Sequence, residues 1–463
     1  MSSADFEIME PEVPVKVDKD IEKVSTCEFN REVVVSMNNQ VRLVDSQNGL
    51  DLFCYIKCSV SDSDTLKKCR GVVFNNDKVI MNGFPYTYEY TEDDYDELLS
   101  KIGGEVFDKC SFYDSYEGSL IRMFYFGDKW YTSTNRKLDA NRSKWSSKES
   151  FGFFFRKALD SEISVNKRLR DAIGEDETID LIDRFQTLLD KNKQYMFLLL
   201  NNEENRIVCS YPSRPTIFHV GTFIDGILSM EEDIYVSYPA KHEFQDVNDV
   251  YRYISDIDIN KTQGIIVFSP NNTQYKVFNR EYHDLYKVRG NEPSIKFRYL
   301  QVRMDKRYNN LIRYLYPEFL KVFDDYENII YNISKNIHKA YFNRFIKNEF
   351  IKVPPEEFGV IRTCHDWHVQ DRSENKINLN KVIDILNEQE PTKINKMIRR
   401  FYMEQKQLEN PKEHDPIRDK EGVDSKSQQR YKPLMPRNSS SAGTTTNKKQ
   451  YKKKSPVEKQ VDV

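Results

Sequence analysis

The strongest constraint on the fold is a change of hydrophobic period near residue 295. Upstream, from about 30 to 290, apolar residues come in short β-branched and aromatic runs bounded by Asn, Asp and Gly. These runs predict strands over 32–36, 71–74, 120–125, 129–133, 196–200, 206–209 and 264–268, with Phe126-Gly127-Asp128 as a hairpin turn. Helices interrupt the pattern: Ile179, Ile182, Phe185 and Leu189 share one face, and a Phe-rich segment at 151–159 reads as a weaker case. Downstream, Phe319, Val322, Phe323, Tyr326, Ile329, Ile330, Ile333, Ile337 and Tyr341 predict a long amphipathic helix beginning near Pro317. Ile394, Met397, Ile398 and Phe401 predict another, opened by Pro391 and Thr392. Both stripes read as core packing. The expected architecture is α+β: a mixed-sheet domain over 29–294, then an all-helical domain over 295–408.

The two ends should not join either core. Residues 1–28 are acidic and broken by Pro11 and Pro14, and from 409 Pro, Ser, Thr, Asn, Gln and Lys dominate, so both are expected to be disordered. The whole chain is nearly balanced, with 70 basic and 73 acidic residues, but from Lys426 onward there are ten basic residues against two acidic. Lys448, Lys449, Lys452, Lys453 and Lys454 form a cluster that should grip RNA or DNA without sequence preference and release it as salt rises. The same cluster also reads as a nuclear-targeting signal. No run approaches the roughly 18 apolar residues of a membrane helix, and the N-terminus lacks a secretory pattern, which predicts a soluble intracellular protein. Seven cysteines, an odd number, predict reduced thiols. Cys54 and Cys58 with Cys364, His365 and His368 are too loosely spaced to predict a zinc site, and no metal ligands are assigned.

Five short blocks carry the chemistry. In order they are Cys69-Arg70-Gly71-Val72-Val73-Phe74, Glu117-Gly118-Ser119-Leu120-Ile121, Glu204-Asn205-Arg206-Ile207-Val208, Gln263-Gly264-Ile265-Ile266-Val267 and Tyr275-Lys276-Val277-Phe278. Each alone also reads as an ordinary turn or strand start. Together, over about 200 residues and followed by helices, they resemble the ATP-dependent RNA ligase 1 family of the covalent nucleotidyltransferases. Such ligases take AMP from ATP onto a lysine, pass it to an RNA 5′-phosphate and seal the strand when a 3′-hydroxyl displaces it. The chemistry needs a partly neutral lysine, carboxylates for metal and ribose, and basic residues to neutralise phosphate.

On that resemblance the scaffold is kept and the reactive groups are not. Arg70, Gly118, Gly264 and Lys276 match the family, and Glu117 keeps a carboxylate where aspartate is usual. Ser115 stands at the nucleophilic lysine, Tyr88 at a phosphate-side lysine, Leu199 and Gln263 at two carboxylates, and Phe278 at the second lysine of the last block. Serine cannot form the phosphoramide, leucine cannot ligate Mg²⁺, and glutamine offers a hard cation only a neutral oxygen. The resemblance thus implies a nucleotide site at Arg70, Gly118, Gln263 and Lys276, with Ser115, Glu117 and Lys276 in the catalytic positions. ATP and Mg²⁺ are the implied cofactors if activity survives. Lys109 and Lys129 are the lysines near enough in sequence to replace the missing amine, and Glu203 or Glu204 could slide into the third block's carboxylate role.

Three functions remain open: an RNA-binding relative whose covalent adenylation is lost or strongly altered, an active RNA ligase with displaced groups, or a structural nucleic-acid-binding virion protein. Arg136 and Lys137, in a polar segment with Trp145 close behind, are candidate RNA contacts. The Asn-, Tyr-, Lys- and Asp-rich composition is similar to that of RNA ligases of large cytoplasmic DNA viruses such as the asfarviruses. That likeness implies work in host cytoplasm and carriage in the particle.

Overall fold

The computed structural model describes residues 29–409 except Asn205. The acidic N-terminal stretch and the tail, with its lysine cluster at 448–454, lie outside the described residues. The described residues from 29 to 404 belong to one compact unit. Of the other, which starts at Gln405, only the end of the last helix is described.

Strands β1 (Val41–Gln47), β2 (Leu50–Tyr55), β3 (Arg70–Asn75) and β4 (Lys78–Met81) form one antiparallel sheet in chain order. Ten further strands follow: β5 (Thr87–Tyr90), β6 (Ser111–Ser115), β7 (Ser119–Phe126), β8 (Lys129–Ser133), β9 (Lys193–Leu200), β10 (Thr216–Ile224), β11 (Ile227–Ser229), β12 (Lys241–His242), β13 (Gly264–Phe268) and β14 (Gln274–Phe278). They make a second sheet ordered β11-β10-β9-β7-β8 and a third ordered β12-β6-β13-β14-β5. The chain passes from the third sheet to the second between β6 and β7, through the three residues Tyr116-Glu117-Gly118. The motif turn is therefore the bridge between two sheets.

Leu50, Val73 and Met81 of the first sheet, Phe124, Met196 and Phe223 of the second, and Tyr113 and Phe268 of the third share one buried cluster. Helices cover the outer faces. Phe151–Val165 packs on the second sheet, and Tyr95–Ile102 with Val247–Asp256 on the back of the third. Strand alternation then sorts the third sheet's side chains. Phe112, Ile265, Tyr275 and Val277 face the helices, while Tyr113, Ser115, Ile266 and Lys276 face the space between the sheets.

After β14 every regular element among the described residues is helical. Phe323, Tyr326, Ile329, Ile330, Ile333, Ile337 and Tyr341 of the helix Leu320–Phe345 are buried, as the stripe predicts. They share a cluster with Ile394, Met397 and Ile398 of the helix Pro391–Glu409 and with Val208, Cys209 and Phe278. The helical region thus packs directly against the end of the sheets.

Four expectations change. The run at 32–36 is helical (Arg31–Ser36), because the Asn30 side chain caps the Val33 amide and one turn suffices to bury Val34. Residues 206–209 form no strand; their amides bond to a side chain instead. The helix around 182 is limited to Leu181–Gln186, and the Phe-rich one extends over Phe151–Val165 with Ser150 as its cap. Between β7 and β8, Gly127 and Asp128 both have positive φ, at 57° and 60°, which is the hairpin turn the sequence predicts.

Candidate functional site

Three of the block residues meet at one atom. Gln263 Oε1 accepts from the Ser115 hydroxyl at 3.3 Å and from the Lys276 ammonium at 3.1 Å. The backbone enforces this meeting: Ser115 pairs with Gly264, and Gly264 with Phe278, across three adjacent strands. The Gln263 amide also donates to the Ser115 carbonyl at 2.8 Å. Gly264 has φ +145°, and a Cβ there would come within 2.0 Å of the Val277 carbonyl oxygen, so only glycine lets β13 and β14 close at this point. Ser115 is buried, whereas Lys276 is half-buried and its amine is pushed below the ordinary lysine range by loss of solvent.

Arg70 stands on the same side. Its guanidinium donates to Thr87 Oγ1 at 3.0 Å and to the Pro85 carbonyl at 3.3 Å, and Thr87 in turn donates to Gln274 Oε1 at 3.2 Å. Gln274 is 2% exposed and its Nε2 has no partner among the described residues. Buried polar atoms are rarely left unpaired. This unpaired donor, on the Lys276 face of β14 and linked through Thr87 to Arg70, suits a phosphate oxygen chemically. Glu89 lies opposite Lys276 on the edge strand β5 and is exposed, so this polar face opens to solvent there.

Glu117 takes a different part. Its carboxylate accepts the backbone amides of Ile207 at 3.2 Å, Val208 at 2.6 Å and Cys209 at 2.9 Å. Burial pushes its carboxyl above the usual range, against these donors and the Tyr282 hydroxyl. The segment it holds is tied on the other side too: Arg206 donates to the Leu315 carbonyl at 2.8 Å, and the Tyr316 hydroxyl donates to the Ile207 carbonyl at 2.6 Å. Glu117 therefore fastens the loop after β9 to the helical region. Gly118 allows the bridge to pass β9, since a Cβ there would lie 2.8 Å from the Leu199 carbonyl oxygen.

A cavity of about 1390 Å³ opens beside this bridge, lined among others by Gly118, Leu199, Glu204, Arg206 and Arg136. Ser115, Gln263, Lys276 and Phe278 are not among its lining residues. The block residues consequently do not share one cleft: Leu199 lines the cavity, while Phe278 is buried in a stack with Tyr282. Tyr88 packs with Tyr275 on the helix-facing side of the third sheet, away from Lys276. Glu203 pairs with Lys157, but Glu204 lines the cavity and its Oε2 has no partner among the described residues. The fourth block offers no carboxylate, and the third block's Glu204 faces the cavity without two further acidic, His or Cys partners among the described residues, so the two blocks do not assemble a Mg²⁺ site.

Neither lysine singled out by sequence proximity comes near Ser115. Lys109 is exposed beyond the opposite end of β6, and Lys129 lies on edge strand β8 with its ammonium 4.5 Å from the Tyr131 ring. Arg136 is exposed on the cavity, whereas Lys137 reaches Asp45 at 3.8 Å, a carboxylate that also holds Arg142 at 2.9 Å. Lys448, Lys449, Lys452, Lys453 and Lys454 lie outside the described residues. Among the described residues no three His, Cys, Asp or Glu gather as a metal site, and Cys54, Cys58 and Cys364 are unpaired thiols.

The sequence blocks also miss a cluster behind β6. Asp114, one residue before Ser115 and so on the opposite face, accepts from His242 Nε2 at 2.9 Å, the Tyr253 hydroxyl at 3.0 Å and the Tyr116 hydroxyl at 3.2 Å. His242 and Tyr253 come from β12 and from the helix Val247–Asp256, and no spacing in the sequence links them. The second unforeseen feature is Arg122, fully buried on β7, which donates to the Gly71 carbonyl and to the Thr134 carbonyl at 2.6 Å. Burial lowers it to about 10.

No family model matches the chain. It is 31% identical over 290 residues to an Immediate-early protein ICP-46 homolog of Invertebrate iridescent virus 3, a match that spans 61% of this chain and 61% of that relative. Over 228 residues, 46% of this chain and 29% of the relative, it is 24% identical to a protein of Autographa californica nuclear polyhedrosis virus described as "Putative bifunctional polynucleotide kinase/RNA ligase". Among solved structures, an archaeal ATP-dependent RNA ligase aligns at a TM-score of 0.35 and 14% identity, covering 64% of this chain and 72% of that one. A Naegleria gruberi RNA ligase mutant with AMP and Mn aligns at a TM-score of 0.30 and 9% identity, covering 45% and 60%. This chain is thus a mixed helix-and-sheet protein similar in sequence to viral ICP-46 proteins.

Proposed function

We propose that the protein is an RNA-ligase-like, RNA-binding protein that accepts ATP on the polar face between its second and third sheets, and whose covalent adenylation no longer runs through position 115. The observation that carries this reading is the joint hold of Ser115 and Lys276 on Gln263 Oε1. It supports the reading by setting a hydroxyl beside Lys276 where the resemblance places the amine. Arg70 and the unpaired Gln274 amide support a place for the triphosphate. Leu199 and Gln263 support the loss of metal-assisted sealing, because leucine has no ligand atom and the neutral Gln263 oxygen already accepts from Ser115 and Lys276. Exposed Arg136 on the cavity and the lysine-rich tail are the proposed RNA contacts.

The test uses the full chain, 5′-phosphorylated single-stranded RNA and ATP. The reading predicts RNA binding that weakens steeply with salt, measurable ATP binding, and no joined product. Joined product, or no binding of either ligand, would overturn it.

A further inference from the structure

We propose that the amine absent at position 115 is supplied from two strands away in the same sheet, with Lys276 accepting a nucleotidyl group from a nucleoside triphosphate as a lysine phosphoramide. This rests on the reading above and adds to it the atom that reacts. Of the lysines considered, Lys276 alone shares a hydrogen-bond acceptor with Ser115. Lys67 instead holds its ammonium 5.3 Å from the ring of Tyr88, on the face of β5 opposite Lys276. Lys276 reaches from β14 across β13 toward the end of β6, where the bridge to the second sheet begins.

The surroundings suit a nucleophile better than a structural ion pair. No salt bridge engages Lys276 among the described residues; its oxygen partner is a neutral amide, and its ring neighbour is Phe278 at 5.4 Å. Burial favours the neutral amine, the form that attacks phosphorus. Arg70 and the unpaired Gln274 Nε2, two positions before Lys276 and on its side of β14, supply donors for phosphate oxygens. The exposed Glu89 opposite Lys276 leaves an open edge for the ligand.

In the step, the Nζ lone pair attacks the α-phosphorus. The N–P bond forms, the bond from the α-phosphorus to its bridging oxygen breaks, and pyrophosphate leaves with that electron pair. The nitrogen gives up one proton to solvent water at the open edge of the sheet. No oxidant or further reactant is needed. Sealing does not follow, because the later steps still lack the carboxylates missing from the third and fourth blocks.

The experiment incubates the full chain with α-labelled ATP and, separately, α-labelled GTP, then maps the label by peptide mass spectrometry. The expected result is an acid-labile, alkali-stable adduct on Lys276. In Lys276→Arg the charge stays but no neutral amine is available, and label should fall at least about a hundredfold. Lys109→Ala and Lys129→Ala should label as the parent does. If Lys276→Arg fails to fold, the site mapped on the parent protein decides. An adduct on another residue, or none from either nucleotide while ATP binding persists, overturns the inference and leaves the proposed function standing. Absence of ATP binding overturns both.

Discussion

Replacing Glu117 by alanine should release the segment 206–211 rather than abolish nucleotide binding directly. The carboxylate receives three backbone amides, at 2.6 to 3.2 Å, and nothing else described in the structure stands ready to accept them. Hydrogen bonds to a charged acceptor contribute about 1.5–3 kcal/mol each. Against this, removing a buried carboxylate relieves a desolvation cost of several kcal/mol. The net local loss is roughly 3 kcal/mol, or about a hundredfold in the opening equilibrium of the segment. Glu117→Gln keeps the oxygen that holds Val208 and Cys209 but turns an NH₂ toward the Ile207 amide, so it should lose roughly tenfold. Hydrogen exchange followed by mass spectrometry on peptides spanning 206–211 reads this locally, without assuming two-state unfolding of a long chain. If exchange in Glu117→Ala stays within twofold of the parent, the carboxylate is not the anchor described and the argument fails.

Three further outcomes follow from particular residues. His219 is fully buried, with Nε2 beside the Gly221 carbonyl and Thr222 hydroxyl, and burial lowers it from 6.5 to about 4. A depressed folded value means the stability it contributes is complete above about 6.5 and is lost as pH falls toward 4, by roughly 3 kcal/mol; in His219→Gln the fall in Tm over that range should flatten. Ser115→Lys should restore no RNA joining in a sealing assay, since it adds a second amine beside Lys276 in a buried setting and returns none of the missing carboxylates; joined product would show that the blocks are wrongly placed. Gly264→Ala should destabilise by about 3 kcal/mol or more, seen as a large drop in Tm, because its Cβ would overlap the Val277 carbonyl oxygen.

What the sequence made legible follows from periodicity. The stripe of the helix Leu320–Phe345 and the hairpin at Gly127-Asp128 are local patterns, and local physics decides them. Residues 32–36 and 206–209 look equally like strands by β-branched content, yet tertiary partners override propensity at both: Asn30 caps a one-turn helix, and Glu117 claims the amides a ladder would use. The order of the blocks points to Ser115, Gln263 and Lys276 as candidates, but not to their meeting at one oxygen. Nearness along the chain points to Lys109 and Lys129, whereas sheet order places Lys276 nearer in space. Asp114, His242 and Tyr253 carry no spacing signal, because the elements that bring them together are joined only by the fold.

The central claim is that the polar face between the second and third sheets receives the nucleotide at Lys276 and not at residue 115. A crystal structure of the full chain with a non-hydrolysable ATP analogue tests it most directly. The account predicts the α-phosphorus about 3–3.5 Å from Lys276 Nζ, with phosphate oxygens on Arg70 and Gln274 Nε2. An analogue seated in the large cavity beside Leu199 and Glu204, with Lys276 still bonded only to Gln263, would contradict it.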